Sequence, residues 1–212
     1  MASSKVHCVQ EMAAACKDVP CCSLDRTSTK RESFTVWMKS LIMQGKGCTV
    51  FNEDGEVVYR MDNYDTRRSR KVYLMDLQGR VLFTIIKRKL RFFGRWEGYK
   101  SEKYSASGSH NKRTWFRVRK DCSILKKSLH CDVTTFCGKT QRSCYSIEGF
   151  TDKLEFNIKN SIGSVLAEVR RKQTTSGVCL GEDVLALVIE PQVDHSLIVA
   201  LVAVYGSICH RM

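Results

Sequence analysis

Proline is nearly absent from this chain of 212 residues, which has only Pro20 and Pro191. No proline-rich linker or low-complexity tract divides the sequence, so one folded domain is expected. There is no Asn-x-Ser/Thr sequon. Lys5, His7, Gln10, Glu11 and Lys17 break up the amino-terminal region, so it lacks the apolar stretch of a signal peptide. Long hydrophobic runs are missing as well: Leu197 to Tyr205 falls far short of the roughly 20 residues of a membrane-spanning helix. Together these absences predict a soluble intracellular protein. Catalytic signatures are also lacking. No phosphate-binding Gly-rich loop ending in Lys-Ser/Thr, no His-Glu-x-x-His and no Gly-x-Ser-x-Gly occurs. The expectation is a protein that is not an enzyme and needs no metal or cofactor.

The eleven cysteines contain no Cys-x-x-Cys pair, which argues against a zinc ribbon or thioredoxin-like site. In a reducing compartment most should behave as small buried hydrophobes. Cys16, Cys21 and Cys22 fall in a polar amino-terminal segment, where S-acylation and an inert mobile tail are the competing readings. The histidines are His7, His110, His130, His195 and His210. His195 reads as a polar residue of a first helical turn rather than a catalytic base. His130 and Cys131 are adjacent on a strand candidate and so point to opposite faces.

What the chain does have is positive charge in one region. Its net charge is +13, and Arg60 to Lys127 carries 20 Lys and Arg against 6 Asp and Glu, while the remainder carries 15 against 16. Such concentration suits an acidic partner: anionic lipid, nucleic acid or an acidic protein surface. A solvated, solubilising face is the competing reading.

A turn pattern also recurs. Asn52-Glu53-Asp54-Gly55, Asp76-Leu77-Gln78-Gly79 and Asn160-Ser161-Ile162-Gly163 each separate two apolar runs, and each is followed by a polar residue. Glycine supplies the positive φ such hairpins need. Phe116 to Leu125 reads as a degenerate fourth copy without the glycine. Further strand candidates are 34–39, 49–51, 71–75, 128–136, 143–150 and 184–189, about a dozen strands with the hairpins. Residues 99–111 read as an exposed mobile loop.

The apolar run Leu197 to Tyr205 has no polar face and must be enclosed on all sides. Ile198, Val199, Val202 and Val204 would suit a strand, but the run exceeds the usual strand of about 5 to 6 residues. Asp194 or Ser196 can cap a helix there, and Gly206 can end it. The fold class is therefore mainly β: a closed antiparallel barrel of about twelve strands around a central hydrophobic carboxy-terminal helix. A sandwich with the helix across one face would require a polar stripe, which the run lacks. Residues 1–31 read as a mobile tail and 32–212 as the single barrel domain, expected to be a monomer.

From about Phe34 onward the chain resembles the plant LURP-one-related family, which is similar in fold to the Tubby carboxy-terminal domain and to phospholipid scramblases. The resemblance rests on Asn52-Glu53-Asp54-Gly55 with Val58-Tyr59-Arg60 and Asp62-Asn63-Tyr64. It rests also on Leu74-Met75-Asp76 with Gly79, Val81-Leu82 and Thr84-Ile85, on Trp96, and on Val193-Asp194-His195. It implies a twelve-stranded barrel around a hydrophobic helix. It also implies a role like that of membrane-tethered transcription factors, with a link to plant defence. No acidic loop matches the calcium-binding segment of scramblases, which argues against scramblase activity.

The candidate site is a set of cations. Two-residue alternation puts Lys87, Lys89 and Arg91 on one face, and Arg113, Trp115, Arg117 and Arg119 on another. If apolar side chains point inward, each row faces outward. Arg67, Arg68, Arg70 and Lys71 form a further compact run, and Arg170-Arg171-Lys172 a short one. The expected partner is anionic phospholipid or phosphoinositide, since Arg binds phosphate bidentately and Trp suits a membrane interface. The alternative is nucleic acid or an acidic nuclear protein bound through the same surface. The expected location is cytoplasmic, with peripheral-membrane and nuclear pools.

Overall fold

The structure, a computed structural model, describes residues 27–39, 47–62, 71–89, 94–101, 113–121, 128–137, 140–150 and 152–209. Among the described residues twelve strands are followed by one helix: β1 Glu32–Trp37, β2 Gly47–Phe51, β3 Val57–Asp62, β4 Lys71–Asp76, β5 Val81–Lys89, β6 Gly94–Lys100, β7 Thr114–Lys120, β8 Ser128–Cys137, β9 Thr140–Phe150, β10 Phe156–Asn160, β11 Val165–Arg171, β12 Val184–Ile189 and α1 His195–Ile208. Every strand pairs with its sequence neighbour, and β12 pairs antiparallel with β1, so the sheet closes into a barrel. Closure removes the free edges that would otherwise invite pairing with other chains.

The hairpins show why these sequences turn where they do. Gly55, Gly79 and Gly163 have φ of 80°, 74° and 88°. Each glycine N–H donates to the carbonyl three residues earlier, on Asn52, Asp76 and Asn160, at 3.0–3.2 Å. The Asn or Asp side chain then accepts from the residue after the glycine, at 2.8–2.9 Å. A register shift sits beside each turn, as expected of a tight loop ending in a glycine bulge. A further copy lies at Thr174–Val178, where Gly177 has φ 81° and the Thr174 hydroxyl replaces the Asn carbonyl, accepting from Val178 N–H at 3.1 Å. The expected fourth copy, Phe116 to Leu125, does join two paired strands, β7 and β8, but residues 122–127 lie outside those described.

Inside the barrel, strand residues alternate inward as apolar side chains: Phe83 and Ile85, Phe116 and Val118, Ile158, Ala167 and Val169, Leu185 and Leu187 are all buried. Helix α1 fills the lumen, and every one of its residues except Ser207 is buried. Asp194 is its N-cap, its carboxylate accepting from the N–H groups of Ser196 at 2.9 Å and Leu197 at 3.3 Å. Gly206 does not stop the helix. The chain continues through it to Ile208, because tertiary burial outweighs the modest cost of a helical glycine, about 1 kcal/mol. Near the carboxy-terminal end of α1, Tyr205 stacks on Phe156 at 3.9 Å and donates to the Phe150 carbonyl at 2.8 Å. Burying each Leu, Ile or Val of this helix contributes about 1.5–3 kcal/mol.

Strand alternation gives the barrel two distinguishable ends. α1 enters where β1 begins and leaves where β9 finishes at Phe150. β5, β7 and β11 also finish at the exit end, and β4, β6 and β12 start there. At the entry end the chain is attached before β1. The Ser28 carbonyl accepts from Gln192 N–H, and Arg31 pairs with Glu190 at 3.0 Å. Residues 1–26, including Cys16, Cys21 and Cys22, lie outside the described residues. So do residues 102–111 of the expected loop, whereas Tyr99 and Lys100 belong to β6.

Among the described cysteines, Cys48 and Cys131 behave as expected: burial pushes both thiols up to about 12, which leaves them unreactive. Cys144 and Cys179 depart from the expectation and are exposed. Cys144 lies on the outward side of β9, and Cys179 lies in the β11–β12 connection.

Candidate functional site

The outer wall of β5, β6 and β7 places cations in register. Arg88 of β5 lies opposite Arg95 of β6, and Arg95 lies opposite Arg119 of β7, so three guanidiniums share one cross-strand row. Like charges placed directly opposite one another repel. The neighbouring row runs Lys71, Ile86, Glu97, Arg117 across β4 to β7. Phe83, Ile85, Trp96, Phe116 and Val118 occupy the opposite, buried face of β5–β7, so both rows belong to the outside.

Glu97 holds this face together. Although it lies on the outer wall it is only 5% exposed, because long side chains cover it. Its Oε2 accepts from Arg88 Nε at 3.0 Å and from the Tyr99 hydroxyl at 2.7 Å; Arg88 Nη2 in turn donates to that hydroxyl at 3.0 Å. Its Oε1 faces Arg95 Nη2 at 2.9 Å and Arg117 Nε at 3.6 Å. Burial alone would raise the Glu97 carboxyl. The hydrogen bonds from Tyr99 and Arg88, with the charges of Arg95 and Arg88, outweigh burial and hold it below the ordinary carboxylate range. One carboxylate thus faces three guanidiniums. Arg95 Nε and Arg117 Nε are buried without a hydrogen-bond acceptor, so the cluster retains donor capacity. Arg119 pairs with Asp132 at 3.2 Å. Five cations, Lys71, Arg88, Arg95, Arg117 and Arg119, meet two carboxylates on this face.

The candidate cations are therefore partly reassembled. Arg117 and Arg119 lie on the outer face of β7, and Lys71 stands on the same wall at the start of β4. Lys87 does not join them. It shares a face with Phe83 and Ile85, lies opposite Trp96, and holds its ammonium 5.2 Å from the centroid of that indole. The outward cation of β5 is its neighbour Arg88. Lys89 is the last residue of β5, opposite Gly94. Arg113 is exposed and precedes β7 at the entry end, away from the arginine row. Trp115 sits at the register shift between β6 and β7 and packs against the core, with Lys100 Nζ 4.6 Å from its ring centroid. Arg67, Arg68, Arg70 and Arg91 lie outside the described residues.

Sequence reading missed Arg88, Arg95, Glu97 and Tyr99. For β6 the signal was present: Trp96 inward forces Arg95, Glu97 and Tyr99 outward.

His195 is a buried first-turn residue. Burial lowers its pKa, the Glu32 carboxylate stands 3.6 Å from Nδ1, and Phe34 packs edge-on against the ring. No group of three or more His, Cys, Asp or Glu arranged for a metal ion occurs among the described residues. No described helix is long and apolar enough to cross a membrane.

Comparison with known proteins agrees with this architecture. The LURP-one-related family model matches residues 32–206. Protein LURP-one-related 11 of Arabidopsis thaliana is 40% identical over 185 residues, covering 85% of this chain and 79% of that protein. Protein LURP-one-related 4 of the same plant is 44% identical over 181 residues, covering 85% and 80%. The X-ray structure of a further Arabidopsis thaliana protein superposes with a TM-score of 0.61 over 87% of this chain and 95% of that one, at 15% identity, a likeness of fold.

Proposed function

The chain belongs to the LURP-one-related family, and from that premise we propose that it is a non-enzymatic module that docks reversibly on anionic membrane, with phosphoinositide as the favoured lipid. The observation that carries this reading is the register of Arg88, Arg95 and Arg119 across three adjacent strands. Three guanidiniums side by side cost stability unless anions compensate them, and Glu97 and Asp132 supply two negative charges against the five cations of this face. A phosphorylated headgroup supplies the missing charge and accepts the paired N–H groups that guanidinium presents.

Each Lys or Arg near an anionic leaflet contributes about 1 kcal/mol, so five give about 5 kcal/mol, a sub-millimolar affinity. That suits a reversible contact responsive to lipid composition, and it supports peripheral-membrane pools of a cytoplasmic protein. A nuclear pool and a part in plant defence, in the manner of a membrane-tethered transcription factor, would follow from release of this contact.

Sedimentation of the intact chain with phosphatidylcholine vesicles, with and without phosphatidylinositol bisphosphate, tests the reading. Binding that appears with the anionic lipid and weakens with salt is expected. No binding at low salt, alongside retention on duplex DNA, would transfer the surface to a nucleic-acid partner.

A further inference from the structure

The wall of arginines does not account for a second feature of the exit end. Between β11 and β12 the chain makes a small hairpin beyond the barrel wall. Leu180 N–H donates to the Lys172 carbonyl at 3.0 Å, Gln173 bridges Cys179, and the Thr174–Val178 turn closes the tip. At its root Lys172 N–H donates to the Val184 carbonyl, and Lys172 Nζ hydrogen-bonds Thr35 Oγ1. This is an ordered projection held by its own backbone. It nevertheless carries two apolar side chains in water: Val178 is 62% exposed and Leu180 52%.

The surroundings indicate what covers them. Arg170 and Arg171 finish the strand that leads into the hairpin and Lys172 follows it; Arg170 faces outward, whereas Arg171 continues the row of Ala167 and Val169 at the rim. On the same end, two strands away, Phe150 points outward and is 50% exposed; Gly149, Phe156 and Val169 form the adjacent inward-facing row. The acidic groups at this end are Asp152 and Glu155 beside Phe150, and Glu168, Glu182 and Asp183 beside the hairpin. Asp183 is engaged by Lys39 at 2.9 Å and by the Trp37 indole at 3.1 Å, and Glu168 by Arg170. Apolar tips bordered by cations match the layered chemistry of an anionic bilayer, with acyl chains beneath a negatively charged headgroup plane.

We infer that the 172–181 hairpin is a membrane-inserting finger, with Val178 and Leu180 entering the acyl boundary of an anionic bilayer while Arg170, Arg171 and Lys172 meet the headgroups. The inference rests on the docking reading above and adds an orientation to it: the barrel meets the membrane with its exit end. Arg88, Arg95 and Arg119 lie toward that same end but on the opposite side of the barrel from β11 and β12, so wall and finger share the exit rim rather than one lateral face. Because the hairpin is already ordered, insertion sacrifices little conformational freedom.

The test is a Leu180→Trp variant of the full chain. It is mixed with phosphatidylcholine vesicles containing about one-fifth phosphatidylserine, with or without lipid brominated along the acyl chain. The expected result is a vesicle-induced blue shift, above the background of Trp37, Trp96 and Trp115, that the unchanged protein does not show and that comes with quenching by the brominated lipid. Val178→Ser with Leu180→Ser should weaken vesicle binding about tenfold or more. Sedimentation with the vesicles without quenching would overturn the finger and leave docking intact. Failure of the unchanged chain to sediment would overturn docking, and the finger with it. Self-association in the absence of lipid, abolished by the double serine variant, would assign the tips to a second copy instead.

Discussion

The two faces of β5, β6 and β7 are built by the same residues in alternation, yet they do opposite things. The inner face puts Phe83, Ile85, Trp96, Phe116 and Val118 against the helix-filled lumen. The outer face puts Arg88, Arg95, Arg117 and Arg119 around a covered Glu97. The inner face lowers the free energy of the folded chain by removing apolar area from water. The outer face gathers like charge that stability alone would disperse. Side chains one position apart should therefore fail differently when changed.

The largest effect is expected deepest inside. Leu201 is fully buried in α1, and Leu201→Asp places a charge with no partner there, costing several kcal/mol. Marginal domains have only about 5–15 kcal/mol to lose, so loss of the cooperative thermal transition is expected. A folded, monomeric variant would overturn the central-helix architecture. On the outside, Arg88→Gln with Arg117→Gln and Arg119→Gln keeps the Arg95–Glu97 pair. It should leave the melting temperature within a few degrees while weakening vesicle binding by about 3 kcal/mol, roughly 100-fold.

Glu97 is expected to matter in the other currency, stability. Its carboxyl is held below the ordinary range. Its contribution is therefore fully present above the unfolded-state pKa and is lost as pH falls through the depressed folded value. Glu97→Gln should lower stability at neutral pH by about 1–3 kcal/mol and flatten the acid limb of the stability–pH curve. An unchanged acid limb would show that the carboxylate is not the hub. The smallest effect sharpens the contrast most finely. Lys87→Gln, next to Arg88 but over the Trp96 ring, should cost about 0.5–1 kcal/mol of stability and leave vesicle binding unchanged, whereas Arg88→Gln should weaken vesicle binding.

Much of the fold was legible because local signals agreed with one another. Asn or Asp followed three residues later by Gly marked three hairpins, and an apolar run with no polar face required enclosure. The hairpin at Thr174–Val178 escaped because Thr replaces Asn, although Gly177 was there to be seen. The face of β5 was harder. Residues 81–86 are mostly apolar on both sides and give no alternation, so Leu90 and Phe92 suggested the wrong side for Lys87. Only the register against Trp96 resolves it. The Glu97 hub was out of reach for another reason: it assembles residues from β5, β6 and β7, and cross-strand pairing is not encoded locally.

The central claim is that the outer arginines of β5–β7, and not the positive charge of the chain as a whole, hold the protein on an anionic surface. Vesicle binding of the unchanged protein and of the Arg88→Gln, Arg117→Gln, Arg119→Gln variant, followed from low to high salt, tests this most directly. Strong, salt-sensitive binding of the former and near-complete loss in the latter even at low salt are predicted. Equal binding of the two across the whole salt range would contradict the account.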